Sequence, residues 1–175
     1  KDFLKHEPLN LTVEEIIERS SNVGTIKIVN NSNIDNVEEF LKKFGFGSRT
    51  GVELSGESKG SFTEYNTCKT CLSSLSIGYS INTTQYQMVK GYSIIANGGN
   101  DIQLSLLRNL DQNVNQKSII SNDLSNRLKK LLINVVEGDN GTGKSLRMSG
   151  YVIGGKTGTS RTYLEGIGYS DKRFN

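Results

Sequence analysis

Two small clusters of polar residues, far apart in the chain, could do chemistry together. Ser20-Ser21-Asn22 closes a helix-like segment, and Lys156-Thr157-Gly158-Thr159 follows the short apolar run Tyr151-Val152-Ile153-Gly154-Gly155. Ser-x-Asn on a helix turn and Lys-Thr-Gly on a strand are two of the three signatures of serine acyl transfer. The third, a Ser-x-x-Lys that supplies the nucleophile, is missing. No serine has a lysine three residues on: Ser55 reaches Ser58, Ser58 reaches Ser61 and Ser125 reaches Leu128. A free hydroxyl is a weak nucleophile that needs a proton carrier, so the catalytic set is incomplete within these residues. Taken singly, Ser20 and Asn22 are more often a helix end than a site, because both residue types favour helix ends and turns. A lone Lys-Thr-Gly is likewise more often a solvated turn.

The elements that must position these clusters are legible from caps and periodicity. Thr12-Val13-Glu14-Glu15 is a capping box, which predicts a helix with Val13, Ile16 and Ile17 on one face, ending near Ser20-Ser21-Asn22. Thr25 to Val29 continues apolar-rich. A second helix is predicted over Asn36 to Phe44, with Val37, Phe40, Leu41 and Phe44 inward and Gly45 as its stop. Residues 45–62 read as an extended, turn-rich connection. Thr84-Gln85-Tyr86-Gln87 is another capping box, opening a helix with Met88, Val89, Tyr92 and Ile95 on one face and closing at Asn97-Gly98-Gly99.

The longest helix is expected from Ser121 to Glu137, where Leu124, Leu128, Leu131, Leu132 and Val135 keep helical spacing and Gly138 ends the run. After a Gly-rich loop, Tyr151 to Thr159 reads as a strand and Gly166 to Phe174 as the start of its hairpin partner. One or two strands do not stand alone as a sheet in water, so sheet partners are expected outside these residues. No internal repeat or linker divides the sequence.

Composition excludes several classes. With 175 residues the chain is long enough to bury a core as one domain. A net charge of +3, scattered rather than clustered, gives no nucleic-acid footprint. No run approaches the roughly 18 to 20 apolar residues of a membrane span, and the opening Lys1-Asp2-Phe3-Leu4-Lys5-His6 is not a signal peptide. The chain is therefore expected to be an internal piece of a longer protein. Its two cysteines form one Cys-x-x-Cys, Cys68-Lys69-Thr70-Cys71, which is half a zinc site; His6 is the only histidine and reads as a surface residue. No metal or cofactor is expected. A local disulfide, a redox pair and two unpaired thiols remain open for the cysteines.

Gly138-Asp139-Asn140-Gly141-Thr142-Gly143-Lys144-Ser145 satisfies the phosphate-loop pattern in full. A phosphate cradle needs a buried strand feeding the loop and a long helix leaving it. Here the strongest helix precedes the loop and only five residues separate it from the next Gly-rich segment. Nucleotide binding is rejected in favour of a turn of small residues.

With these segments in order, the chain resembles the transpeptidase domain of a class B penicillin-binding protein of the septal (FtsI-type) or elongation type. Leu11 to Gly24 resembles the family's segment ending in Ser-x-Asn. Phe44-Gly45-Phe46-Gly47, Thr50-Gly51 and Leu54-Ser55-Gly56-Glu57 resemble its FGFG, TG and LPGE stretches, with Ser55 where proline is usual. Ser76 to Ile81 and Thr84 to Gln87 are similar to GYGI and TPLQ, with Ser80 and Gln85 departing from Gly and Pro. Tyr92 to Gly99 is similar to YSAIANGG, and Gly141-Thr142-Gly143 to the GTG ahead of Lys-Thr-Gly.

The resemblance implies an α+β (α/β sandwich) fold of the serine β-lactamase and penicillin-binding protein type. Residues 1–175 would supply mostly its helical part plus the Lys-Thr-Gly strand, as a partial transpeptidase domain truncated at both ends. It implies peptidoglycan D,D-transpeptidation through a serine acyl-enzyme, with β-lactams as inhibitors and D-Ala-D-Ala stem peptides as substrate. Ser20, Asn22 and Lys156 would be catalytic; Thr157, Gly158 and Thr159 would bind substrate. Expected partners are a glycosyltransferase and other division or elongation proteins, with the parent held at the periplasmic face of the inner membrane by an upstream anchor. A β-lactamase or β-lactam sensor of the same fold, or an inactive scaffold, are the alternatives. Without Ser-x-x-Lys, these residues by themselves are expected neither to be acylated by penicillin nor to hydrolyse a β-lactam.

Overall fold

The computed structural model describes residues 10–32, 37–62, 71–108, 117–164 and 168–174, with the backbone alone from 161 onward. His6 and Cys68 lie outside the described residues. The described residues form two compact units, one made of those between 21 and 129 and the other of 10–20 with those from 130 onward.

In the first unit, helix α2 (Asn22–Asn31) lies against α4 (Cys71–Ser76), while the cluster of Phe44, Ile94 and Ile120 forms where the end of α3 (Val37–Lys43) meets α5 (Gln85–Ala96). Phe46, Ile95, Ile119 and Leu128 pack against that cluster. Gly45, at φ +92°, ends α3 as expected: its N–H reaches the Lys42 carbonyl and the Phe46 N–H the Leu41 carbonyl, which satisfies two terminal acceptors. The Asn97-Gly98-Gly99 stop of α5 is of the same kind, Gly99 N–H closing on Ile94 O at 2.9 Å. A two-residue ladder, β1 (Ser61–Phe62) against β2 (Ile81–Asn82), is antiparallel.

Both predicted capping boxes form. The α5 box, however, turns the helix differently from the apolar reading. Its buried face is Gln87, Gly91 and Ile94, whereas Met88, Val89 and Tyr92 are exposed. A polar residue wins the interior because every one of its amide groups is used. Gln87 Oε1 accepts the Thr84 N–H at 2.9 Å, and Nε2 donates to the Ser48 and Lys59 carbonyls at 2.8 Å each. Gln87 thereby ties the start of α5 to both ends of the 48–59 connection. Within that connection the Glu57 carboxylate accepts from the Thr50 N–H, the Thr50 hydroxyl and the Gly51 N–H. The Thr50 hydroxyl and N–H are the main reasons its pKa lies below the usual carboxylate value. On α3, Phe40 is exposed rather than inward and stands tilted against the Phe44 ring, centroids 5.2 Å apart.

In the second unit, α1 (Val13–Glu18) is short. Its capping box pairs Thr12 N–H with the Glu15 carboxylate and Glu15 N–H with the Thr12 hydroxyl. Helix α6 (Asn122–Glu137) starts in the first unit and ends in the second, with Val135 and Val136 fully buried. Leu124 is exposed; the buried contact near it is Ser125, whose hydroxyl donates to Ile95 O. Arg147 closes the α6 C-terminus, its guanidinium donating to the carbonyls of Val136, Glu137 and Gly138. Those are orphan acceptors at the negative end of the helix, where a cation is favoured.

The terminal hairpin pairs β3 (Ser160–Leu164) with β4 (Gly168–Phe174), antiparallel with a register shift between Arg161 and Tyr163. The predicted strand is thus displaced along the chain. Residues 151–159 enter no ladder among the described residues. Gly155 N–H donates to Leu132 O at 3.0 Å, and Tyr151 and Val152 are largely exposed. Within the hairpin the ladder begins at Ser160, which pairs with Phe174.

Candidate functional site

Ser20 marks the end of α1. It adopts φ +56°, a left-handed conformation costly for a residue with a Cβ and concentrated at functional positions. Its N–H reaches Ile17 O at 3.2 Å, which terminates the helix. The next residue, Ser21, caps the following helix by accepting the Gly24 N–H, so Asn22 opens α2. The Ser-Ser-Asn segment is therefore a junction between two helices, not only the end of one. Helix α2 was not legible because its sequence, rich in β-branched residues and asparagine, carries little helical preference.

Within the second unit one residue of each predicted cluster, Ser20 and Lys156, is in contact. Lys156 Nζ donates to Ser20 Oγ at 2.5 Å and to the Thr157 carbonyl at 2.9 Å. An ammonium has donors only, so Ser20 must accept, and its own proton is directed elsewhere. Although Lys156 as a residue remains exposed, protein around the ammonium desolvates it, and this pushes its pKa below the usual lysine value.

Thr157 and Thr159 are exposed, and a Cβ built at Gly158 would meet no protein atom within 4 Å. The protein itself does not demand glycine there; the space beside it is open. Asn22 is half-buried and belongs to the first unit.

The turn between α6 and Lys156 contributes residues that sequence reasoning treated only as a phosphate-loop mimic. Thr142 Oγ1 lies 2.8 Å from Thr157 Oγ1. The Asn140 N–H donates to Glu18 Oε1 at 2.9 Å, so the end of α1 holds this turn as well as Lys156. A Cβ at Gly138 would collide with Glu18 Oε1 and the Asn134 carbonyl, and one at Gly141 with the Val135 carbonyl, which explains the small residues. The turn sits at a helix C-terminus, where the dipole repels anions. Lys144 folds back onto the Asp139 carbonyl. Both observations agree with rejecting a phosphate cradle.

Cys71 opens α4 and is disulfide-bonded. No group of three or more metal-ligating side chains occurs among the described residues. No helix among them is long and apolar enough to cross a membrane.

A family model described as penicillin binding protein transpeptidase domain matches residues 2–174. This chain belongs to that family. It is 31% identical over 165 residues to the probable peptidoglycan D,D-transpeptidase PbpC of Pseudomonas aeruginosa, covering 94% of this chain and 29% of that protein. It is 29% identical over 182 residues to the penicillin-binding protein PbpB of Mycobacterium tuberculosis, covering 95% and 27%. The crystal structure of penicillin-binding protein 3 from Mycobacterium tuberculosis complexed with aztreonam matches with a TM-score of 0.86 at 29% identity, over 97% of this chain and 42% of that one. The fold is accordingly that of the penicillin-binding and serine β-lactamase proteins, helix-rich here with a small sheet. This transpeptidase-domain chain spans less than a third of the length of these two curated relatives.

Proposed function

We propose that the chain is part of a peptidoglycan D,D-transpeptidase that cross-links stem peptides through a serine acyl-enzyme and is acylated by β-lactams. The observation that carries this reading is the Lys156–Ser20 hydrogen bond, which joins two motif residues lying 136 positions apart. The nucleophilic serine comes from a Ser-x-x-Lys segment outside these residues. Its Oγ attacks the carbonyl of the penultimate D-Ala and gives up its proton to the basic groups of the site. The C–N bond breaks, and D-Ala leaves with a proton delivered to its amine. The net transfer is from the serine hydroxyl to D-Ala, and the carriers end as they began. The amine of a neighbouring stem peptide then attacks the ester, restores the serine and forms the cross-link.

Ser20 serves as the proton carrier. Because Lys156 donates into Ser20 Oγ, the Ser20 proton is available to the departing amine, and Ser20 is repaid from the lysine side. Desolvation lowers the cost of moving that lysine proton, since burial disfavours the charged form. With two of its protons on Ser20 and Thr157, Lys156 turns its third toward the terminal carboxylate of the ligand. Thr157 and Thr159 hydroxyls bind that carboxylate, and Gly158 leaves room for the peptide to pass. The Thr159 N–H supplies one oxyanion donor, a contribution worth about 3 kcal/mol of barrier in comparable enzymes. Asn22 holds the substrate amide and the Ser-x-x-Lys lysine. The relative from Mycobacterium tuberculosis was crystallised with the β-lactam aztreonam, which supports the inhibitor class.

The parent protein works at the periplasmic face of the inner membrane through an anchor elsewhere in its sequence, beside a glycosyltransferase and other division or elongation proteins. The test is covalent labelling of the full-length protein by a fluorescent penicillin, with mass spectrometry locating the adduct. A stoichiometric adduct on a Ser-x-x-Lys serine, together with release of D-Ala from a D-Ala-D-Ala peptide, is the expected result. A full-length protein that binds penicillin at no serine would overturn the assignment.

A further inference from the structure

We infer that Thr142 is a positioning residue that sets the direction of the Thr157 proton and thereby the acceptance of an anionic ligand. The inference rests on the proposal that Thr157 binds the ligand carboxylate. Thr142 Oγ1 is 2.8 Å from Thr157 Oγ1 and 3.5 Å from the Glu18 carbonyl. A hydroxyl owns a single proton and can accept two bonds. If Thr142 gives its proton to Glu18 O, Thr157 must donate to Thr142, and Thr157 then presents only lone pairs to a ligand. If Thr142 gives its proton to Thr157, the Thr157 proton is released outward. A carboxylate is acceptor-only, so it binds solely in the second arrangement.

The geometry makes the exchange cheap. The contact to Glu18 O lies at the outer limit of a hydrogen bond, whereas the contact to Thr157 is close to the optimum for two hydroxyls. Turning the Thr142 hydroxyl gives up a weak bond and keeps the short one. The turn that carries Thr142 is fixed independently of any ligand, through Asn140 N–H to Glu18 Oε1, Gly141 N–H to Gly138 O and Gly143 N–H to Val135 O. Thr142 is half-buried, while Thr157 is exposed. The first is thus built into the scaffold and the second faces the ligand. Valine at position 142 would keep the shape and remove the donor, leaving Thr157 no partner that directs its proton outward.

The experiment uses the full-length protein with benzylpenicillin and benzylpenicillin methyl ester, which lacks the anion. Acylation is resolved into a dissociation constant for the reversible complex and a first-order acylation rate. Thr142→Val is expected to weaken reversible binding of the acid about tenfold, the cost of one hydrogen bond to a charged group. It leaves the acylation rate and the binding of the ester unchanged, and Thr142→Ser restores the wild-type constants. Thr142→Ala is measured alongside, so that misfolding of the valine variant does not blunt the test. Thr157→Val should show the same loss of preference for acid over ester. If Thr157→Val loses that preference and neither Thr142→Val nor Thr142→Ala does, the inference is overturned and the carboxylate role of Thr157 stands. If Thr157→Val keeps the preference, the carboxylate reading itself fails and takes the inference with it. Equal weakening of acid and ester in the Thr142 variants, unrescued by serine, would show a merely structural turn and also overturn it.

Discussion

Ser20 is held in a left-handed conformation and also accepts a hydrogen bond from Lys156, so its conformational cost and its proposed chemical use can be separated by substitution. A residue with a Cβ pays about 1 to 2 kcal/mol in this region of φ and ψ. Glycine removes that penalty but adds roughly 0.5 to 1 kcal/mol of unfolded-chain freedom. Ser20→Gly is therefore expected to be about 0.5 to 1 kcal/mol more stable than Ser20→Ala, which loses the same hydrogen bond but keeps the Cβ, a difference of about 1 to 3 °C in Tm for a chain of this size. The same change deletes the hydrogen bond from an ammonium at 2.5 Å. Hydrogen bonds to charged groups are worth about 1.5 to 3 kcal/mol, and the lower end applies because Lys156 keeps access to water. Acylation of the full-length protein by penicillin should fall by about 10- to 30-fold. Ser20→Ala should lose the same rate with the lower Tm of the two variants, because it retains the Cβ. Stopped-flow acylation with a fluorescent penicillin and a thermal melt measure the two effects on one preparation. A glycine variant that acylates at the wild-type rate would refute the proton-carrier role, whatever its stability.

Gln87→Leu keeps volume and burial but leaves Thr84 N–H and two carbonyls unpaired; it should cost about 3 kcal/mol, read as a lower midpoint in urea unfolding. Glu57 has a folded pKa below its unfolded one, so its contribution is complete above the ordinary carboxylate pKa and is lost as pH falls through the folded value. Glu57→Gln should accordingly be less stable at neutral pH and show a shallower loss on acidification, checked by melts from neutral to acid pH. Lys144→Ala is expected to leave penicillin acylation unchanged. Neither it nor the wild type should bind a fluorescent ATP analogue in magnesium, since Lys144 is engaged by the turn's own Asp139 carbonyl.

The parts of the fold that announced themselves are those fixed by local chemistry. Capping boxes at Thr12 and Thr84, the stops at Gly45 and Gly98-Gly99, and the long apolar repeat of α6 each depend on residues within a few positions of one another. What escaped was set by distant partners. Burial of Gln87 depends on carbonyls at 48 and 59, which no periodicity in 84–96 encodes. For the site, Ser20 and Lys156 could be paired through motif order, and the structure brings them into contact. Thr142 and Glu18 could not, because their roles exist only once the end of α1, the turn and Lys156 meet.

The joint action of Ser20 and Lys156 is tested most directly by a double-mutant cycle on acylation of the full-length protein, using Ser20→Ala, Lys156→Met and the pair. One shared proton path predicts that the double variant is slowed about tenfold less than the product of the single effects, a coupling of about 1.4 kcal/mol. Losses that multiply would mean the two side chains act independently, and the contact between them would carry no catalytic meaning.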